Sequence, residues 1–163
     1  MAKRKLILDV DTGTDDAVAV MLAALHPALD LVGCTTVNGN VAVQYCTHNT
    51  LRVLDHVGRK DIPVYEGLAR PLIRPDFPIP RATSDLAGKI HGRTLGVPPS
   101  SRRKSDTGAV EFLIETYRNA TDEITLVPVA PLTNIATALT LHPKLVDRVP
   151  EVVIMGGGQE VGN

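Results

Sequence analysis

The sequence predicts an α/β fold, in which a mainly parallel sheet carries helices on both faces in a Rossmann-like arrangement. Short apolar runs such as "KLILDV", "ALDLVGCTTV" and "EITLVPV" alternate with segments of high helical propensity. This alternation favours parallel strands joined by right-handed crossovers. The chain has 163 residues, 44% of them hydrophobic, which suffices for one core. We therefore expect a single α/β domain over residues 1–163.

The amino-terminal elements follow one another in a regular order. "KLILDV" predicts a first strand, and "DDAVAVMLAALH" predicts a helix after the short loop "TGT". "ALDLVGCTTV" predicts a second strand, followed by a helix in "VAVQYCTHNTLRVLDHVG" that stops near Gly58. "DIPVYEG" predicts a third, short strand.

A proline-rich segment at about residues 67–104 interrupts this pattern. Its prolines forbid a regular helix or an inner strand: Pro71, Pro75, Pro78, Pro80, Pro98 and Pro99. Loops of this length in compact domains are often functional, and the embedded "KIHGRTLG" favours a lid. A plain surface excursion is the alternative.

Regular elements return in the last third of the chain. "TGAVEFLIETYRNA" predicts a helix, "EITLVPV" a strand, "PLTNIATALTLHP" a helix opened by Pro131, and "VPEVVIMGGG" a fifth strand. The chain stops in a glycine-rich loop where another helix is expected. The fold is therefore expected to be truncated at its carboxyl terminus.

The amino-acid composition indicates which classes of partner and which cellular compartment to expect. Lys and Arg total 17 against 18 for Asp and Glu, so no basic field attracts nucleic acid or an anionic membrane. Small-molecule partners are favoured.

Cys34 and Cys46 lack metal-site spacing and indicate a reducing compartment. With no signal peptide or membrane span recognisable, we expect a soluble, cytoplasmic protein.

Four aspartates lie where the first strand gives way to the first helix: Asp9, Asp11, Asp15 and Asp16. Ligands bind at the carboxyl ends of strands in open α/β sheets, so this position indicates a site. Asp15 and Asp16 have an alternative role as helix caps. Asp9 and Asp11 do not, and crowded carboxylates repel unless a cation compensates them. All-oxygen ligation suits Ca²⁺ or Mg²⁺.

Several motifs together resemble the nucleoside hydrolase family, the inosine-uridine preferring ribohydrolases: "LDVDTGTDDA", "VNGN", "VPVAPLTNIA" and "EVVIMGGG" leading to "GN". The resemblance covers about the amino-terminal half of a usual family member. It implies hydrolysis of the N-glycosidic bond of ribonucleosides to ribose and free base, in nucleoside salvage. It also implies a calcium ion that holds the attacking water, and a homo-oligomeric assembly.

The resemblance also implies roles around the metal. Asp11 corresponds to the metal ligand that acts as general base, and Asp16 to a second carboxylate ligand. Asp15 corresponds to a ribose ligand, and Asp9 is interpreted as support for the loop or the metal. Val129 falls where the family supplies a main-chain carbonyl to the metal.

Further residues correspond to substrate contacts. Asn40 matches a sugar-binding asparagine, although a turn alone would also explain "NGN". Met155 matches a methionine near the ribose, although a core role is common at a strand end. Asn163 matches a substrate asparagine, and His91 matches the histidine that donates a proton or hydrogen bond to the leaving base.

Two other functions remain open at this point. A phosphohydrolase of the haloacid dehalogenase type would use Asp9 and Asp11 of "DVD" with Mg²⁺, although the following "TGTDD" departs from that signature. A fragment that binds metal or sugar without catalysis is the other alternative. Because the family supplies further metal and sugar ligands from beyond this length, we expect the isolated chain to be weakly active or inactive.

Overall fold

The computed structural model describes residues 2–73 and 91–157. Its centre is a four-stranded sheet with the order β3-β2-β1-β4. All three strand pairs are parallel. The strands are β1 (Arg4–Val10), β2 (Leu29–Thr36), β3 (Val64–Glu66) and β4 (Ile124–Pro128). The predicted α/β fold with a parallel sheet is confirmed.

Helices follow the strands, as the alternating pattern predicts. They are α1 (Thr14–Leu25), α2 (Val43–His56), α3 (Ala109–Asn119) and α4 (Thr133–Leu141), and a 3-10 helix (Pro143–Asp147) follows α4. α1 and α2 pack against each other, and so do α3 and α4. None of the described helices has the length and apolar character needed to cross a membrane.

Two apolar cores cover the two faces of the sheet. The α1/α2 core includes Leu6, Leu8, Val10, Val20, Leu51 and Leu54. The α3/α4 core includes Ile7, Leu113, Ile114, Tyr117, Ala138 and Leu145. Successive side chains of a strand point to opposite faces, so β1 supplies both cores in alternation. Asp9 therefore points to the same face as Ile7, the face covered by α3 and α4.

Two element boundaries differ from the sequence prediction. The expected fifth strand forms a single parallel bridge between Leu126 and Val152, although Met155 N–H also donates to Pro128 O at 3.0 Å. Helix α4 begins at Thr133, so Pro131 lies before this helix and does not occupy its first turn. Hydrogen bonds to the edge of β4 nevertheless continue along the segment of the expected fifth strand, with Val153 N–H donating to Leu126 O at 2.9 Å.

Part of the proline-rich segment is described. Residues 74–90 lie outside the described residues, so the predicted lid stays a prediction. Within the described part, an ion pair fastens the segment to α2: Arg102 Nη1 lies 3.1 Å from Asp55 Oδ1, and both side chains are mostly buried. Ser100 Oγ donates to Asp55 Oδ2 at 2.7 Å. Asp55 therefore anchors this segment against the domain.

Candidate active site

The carboxyl ends of β1, β2 and β4 border one cavity of about 260 Å³. Six of the predicted site residues line it: Asp11, Asp15, Asn40, His91, Val129 and Met155. The first three follow β1 and β2, Val129 follows β4, and His91 returns from the proline-rich segment. Parallel strands bring their carboxyl ends to one edge, which explains this convergence. Asn163 lies outside the described residues.

Asp11 is held by the loop that follows β2. Asn40 N–H donates to Asp11 Oδ2 at 2.6 Å, and Asn40 Nδ2 donates to the Asp11 main-chain oxygen at 3.3 Å. Asp11 is 5% exposed, so its carboxylate lies almost wholly inside the protein while still bordering the cavity. Hydrogen bonds to a charged oxygen are short and strong, so this contact fixes the carboxylate.

Asp16 lies behind the cavity lining. Its Oδ2 accepts from Gly13 N–H at 3.0 Å and from Asn40 Nδ2 at 3.3 Å. The first bond is a cap of α1, so the capping interpretation of Asp16 is confirmed. Burial raises the pKa of Asp16 to about 7, and the nearby negative charges of Asp11 and Asp15 act in the same direction.

Asp15 and His91 form the outer wall of the cavity. His91 Nδ1 lies 3.6 Å from Asp15 Oδ1 and 3.4 Å from the main-chain nitrogen of Thr14. The Asp15 side chain is 70% exposed, in contrast to the neighbouring Asp16. His91 also packs on Gly13, where a Cβ atom would lie 3.0 Å from the ring Cγ. The structure therefore brings the proline-rich segment to the aspartate cluster.

Asp9 is the innermost member of the cluster and is fully buried. Its Oδ1 accepts from Thr35 Oγ1 at 2.6 Å and from Asn134 Nδ2 at 2.8 Å. Its Oδ2 is buried and has no hydrogen-bond partner among the described residues. Burial raises the pKa of Asp9 to about 7. Asp9 does not line the cavity, in keeping with the supporting role predicted for it.

Two residues of this site were not assigned from the sequence. Asn134, in "PLTN", binds Asp9 from α4, and Gly39 lies against Asp11. A Cβ atom on Gly39 would lie 2.5 Å from Asp11 Cγ and closer still to Oδ2. The glycine in "NGN" and the asparagine in "PLTN" are visible in the sequence, but their partners depend on tertiary contacts.

The chemistry of this edge fits a hard cation. It concentrates carboxylates, two of which carry raised pKa values, and it leaves one buried carboxylate oxygen without a partner. A cation would offset the crowded negative charge of these carboxylates. In the part of the chain that the structure describes, no three His, Cys, Asp or Glu side chains group to hold a metal by themselves. Main-chain or further oxygen ligands are therefore required.

Comparisons with known proteins decide the family. The family model described as inosine-uridine preferring nucleoside hydrolase matches residues 6–163. The chain belongs to the nucleoside hydrolase family. The family match confirms the resemblance that the sequence motifs indicate.

Relatives of this nucleoside hydrolase family member include two curated proteins. An uncharacterised protein of Schizosaccharomyces pombe is 44% identical over 161 residues, covering 98% of this chain and 51% of the relative. The pyrimidine-specific ribonucleoside hydrolase RihB of Escherichia coli is 41% identical over 167 residues, covering 100% of this chain and 50% of the relative. The chain thus spans about half the length of the curated relatives it matches.

A solved structure shows the same fold. The purine-preferring ribonucleoside hydrolase from Gardnerella vaginalis superposes with a TM-score of 0.86 at 34% identity. The match covers 95% of this chain and 49% of that structure. The sheet and helices described above are therefore those of a nucleoside hydrolase.

Proposed function

We propose that this chain contributes the water-activating and ribose-binding part of an enzyme that hydrolyses ribonucleosides to ribose and free base. The observation that carries the proposal is the convergence of Asp11, Asp15, Asn40 and His91 on one cavity. The relatives include a pyrimidine-specific and a purine-preferring enzyme, so the proposed substrate class is the ribonucleoside without a fixed base.

We propose that Asp11, Asp16 and the main-chain carbonyl of Val129 hold a calcium ion. When bound, calcium would orient a water molecule and lower its pKa. Asp11 borders the cavity and Asn40 orients its carboxylate, which supports a role for Asp11 as the general base that would accept a proton from an attacking water. Asp16 adds negative charge from behind the lining.

We propose that the remaining residues that line the cavity contact the sugar and the base of the substrate. Asp15 exposes its carboxylate to the cavity and can accept hydrogen bonds from ribose hydroxyls. Asn40 and Met155 border the same space, and we propose Asn163 as a further sugar contact. His91 faces the cavity and can donate to the departing base. Negative charge around the sugar favours the ribosyl cation that develops as the bond breaks.

The geometry favours this reaction over phosphoryl transfer through Asp9. A nucleophile must reach the substrate, whereas Asp9 is fully buried, binds Thr35 and Asn134, and does not line the cavity. The cellular setting, a cytoplasmic homo-oligomer acting in nucleoside salvage, is proposed from the family resemblance. Light scattering on a size-exclusion column tests the oligomeric state.

Ribose release from inosine, adenosine, uridine and cytidine tests the function, with calcium or with a chelator. We expect release that requires calcium and is abolished by Asp11→Ala. Asp122→Ala is the matched control, because Asp122 is exposed and pairs with Lys5 near the amino end of β1. The assay is run on this chain and on a fusion to the carboxyl-terminal half of the Escherichia coli relative.

The outcomes separate the candidate functions. Release by the fusion alone would support a site completed by the second half. Calcium binding without release by either protein would favour a non-catalytic binding fragment. Release of phosphate from p-nitrophenyl phosphate, lost in Asp9→Asn, would favour the phosphohydrolase and contradict the proposal.

A further inference from the structure

Asn134 occupies a junction between four segments of the chain. Its Nδ2 donates to Asp9 Oδ1 at 2.8 Å and to the main-chain oxygen of Thr36 at 2.9 Å. Its Oδ1 accepts from Leu68 N–H at 3.0 Å. The side chain is fully buried, and both of its N–H donors are used. One amide thus joins the end of β1, the end of β2, the segment after β3 and the start of α4.

The groups bound by Asn134 lead directly into the candidate site. Asp9 precedes Asp11 by two residues, and the Asp9 main-chain oxygen accepts from Val129 N–H at 2.9 Å. Thr36 ends β2, and the chain then continues to Asn40. Asn134 therefore holds the starting points of the three loops that carry Asp11, Asn40 and Val129. It does not line the cavity itself.

The packing around Asn134 leaves the amide little freedom. A Cβ atom on Gly67 would lie 2.5 Å from Asn134 Nδ2 and closer still to Oδ1. Gly67 N–H meanwhile donates to Thr36 O at 2.9 Å, the same oxygen that Asn134 binds. The close approach of this backbone allows Leu68 N–H to donate to Asn134 Oδ1.

We propose that Asn134 is a positioning residue for the candidate site, holding the Asp9 carboxylate and the three loops in their binding geometry. The effect of this role on cation and nucleoside binding rests on the proposed function. A buried amide is suited to the task because it donates to a carboxylate and a carbonyl while accepting from an amide. Neither an aliphatic nor an acidic side chain supplies that combination.

Amide hydrogen exchange followed by NMR tests the positioning without a metal or a substrate. In Asn134→Ala we expect the Asn40 and Val129 amides to lose at least about tenfold in protection, because their acceptors belong to the Asp9–Asp11 segment. The control is Leu145→Ala, a buried truncation in the α3/α4 core remote from the cavity. Variants are compared at temperatures equally far below their thermal midpoints. Should Asn134→Ala fail to fold, Asn134→Asp is the second variant, because it keeps the shape of the side chain and removes the amide donors.

The results decide the proposal in either direction. Loss of protection at Asn40 and Val129 only in the Asn134 variants supports it. Equal loss in Leu145→Ala, or no loss in any variant, would show that Asn134 contributes only to general stability.

Calcium titration by calorimetry forms a second, separate part of the test. We expect Asn134→Ala to weaken binding by roughly 10-fold to 100-fold, as for other partners placed behind metal ligands. Unchanged calcium affinity in Asn134→Ala would overturn the inferred effect on the site. If the unmodified chain, alone and in its fusion, binds no calcium, the proposed function fails, while the exchange measurement still decides the positioning role.

Discussion

Gly39→Ala is expected to disable the candidate site without altering any polar side chain. The added Cβ atom would lie 2.5 Å from Asp11 Cγ and 2.7 Å from Asp11 Cβ, whereas ordinary contacts begin near 3.4 Å. Asp11 must therefore move by about 1 Å at Cγ, or the Asn40 loop must retreat by a similar distance. Either movement breaks the 2.6 Å hydrogen bond from Asn40 N–H to Asp11 Oδ2.

The structure sets the size of the expected effects. Loss of a hydrogen bond to a charged group costs about 1.5–3 kcal/mol. For a chain of this size that corresponds to a fall of about 3–12 °C in the thermal midpoint. A misplacement of about 1 Å at a reacting group can lower the rate by about 100-fold. We therefore expect ribose release by the active form of the protein to fall by about two orders of magnitude.

Gly96→Ala is the matched control for this prediction. No atom lies within 4 Å of a Cβ atom built on Gly96, so the same substitution meets open space. Its thermal midpoint should change by less than about 2 °C, because surface substitutions usually stay within about 0.5 kcal/mol. The assays are differential scanning fluorimetry, calcium titration and ribose release. Equal tolerance of alanine at both positions would refute the close-approach argument.

Three further predictions concern stability and reactivity. Tyr117→Phe should raise the free energy of unfolding in urea by about 1 kcal/mol, because the buried Tyr117 hydroxyl has no partner among the described residues; a loss of more than 1 kcal/mol would indicate a partner. Asp55→Ala should cost about 1–3 kcal/mol, since it removes the carboxylate partner of a mostly buried arginine, whereas Glu115→Ala, at an exposed ion pair, should cost less than about 1 kcal/mol; equal costs would contradict this reasoning. Cys34 and Cys46 are free and buried, and burial raises both pKa values to about 12, so a thiol reagent at pH 8 should modify them only after denaturation; rapid labelling of the native protein would show the thiols to be accessible.

The sequence predicts the order of the elements well because each strand and helix has a local signature. The apolar run in "KLILDV" reflects burial on both faces of a central strand, and in the structure β1 supplies residues to both cores. The last segment, "VPEVVIM", has high β-propensity and exchanges backbone hydrogen bonds with β4, yet it forms a bridge only between Val152 and Leu126. Propensity therefore indicates the pairing with β4 but not the length of the regular ladder.

The candidate site is predictable only where its chemistry lies in the local motif. The aspartates stand together in eight positions of sequence, so their common location follows from the end of β1. The hydrogen bond from Asn134 to Asp9 cannot be predicted in this way, because Asn134 lies 125 positions away and reaches Asp9 only through the pairing of β1 with β4. The requirement for glycine at position 39 cannot be read from the sequence either, because it arises from the short distance between two loops, and the sheet sets that distance.

The dependence of the site on tertiary contacts also explains why four neighbouring aspartates have four different environments. β1 directs Asp9 into the protein, where Thr35 and Asn134 bind one of its oxygens. Beyond the end of the strand, the chain places Asp11 at the cavity under the Asn40 loop, and the first turn of α1 then turns Asp16 inward and leaves Asp15 outside. Asp9, Asp11 and Asp16 are buried whereas Asp15 is exposed, so the desolvation cost falls on the three inner carboxylates. A cation bound between them would offset that cost, while Asp11 and Asp15 keep access to water and sugar.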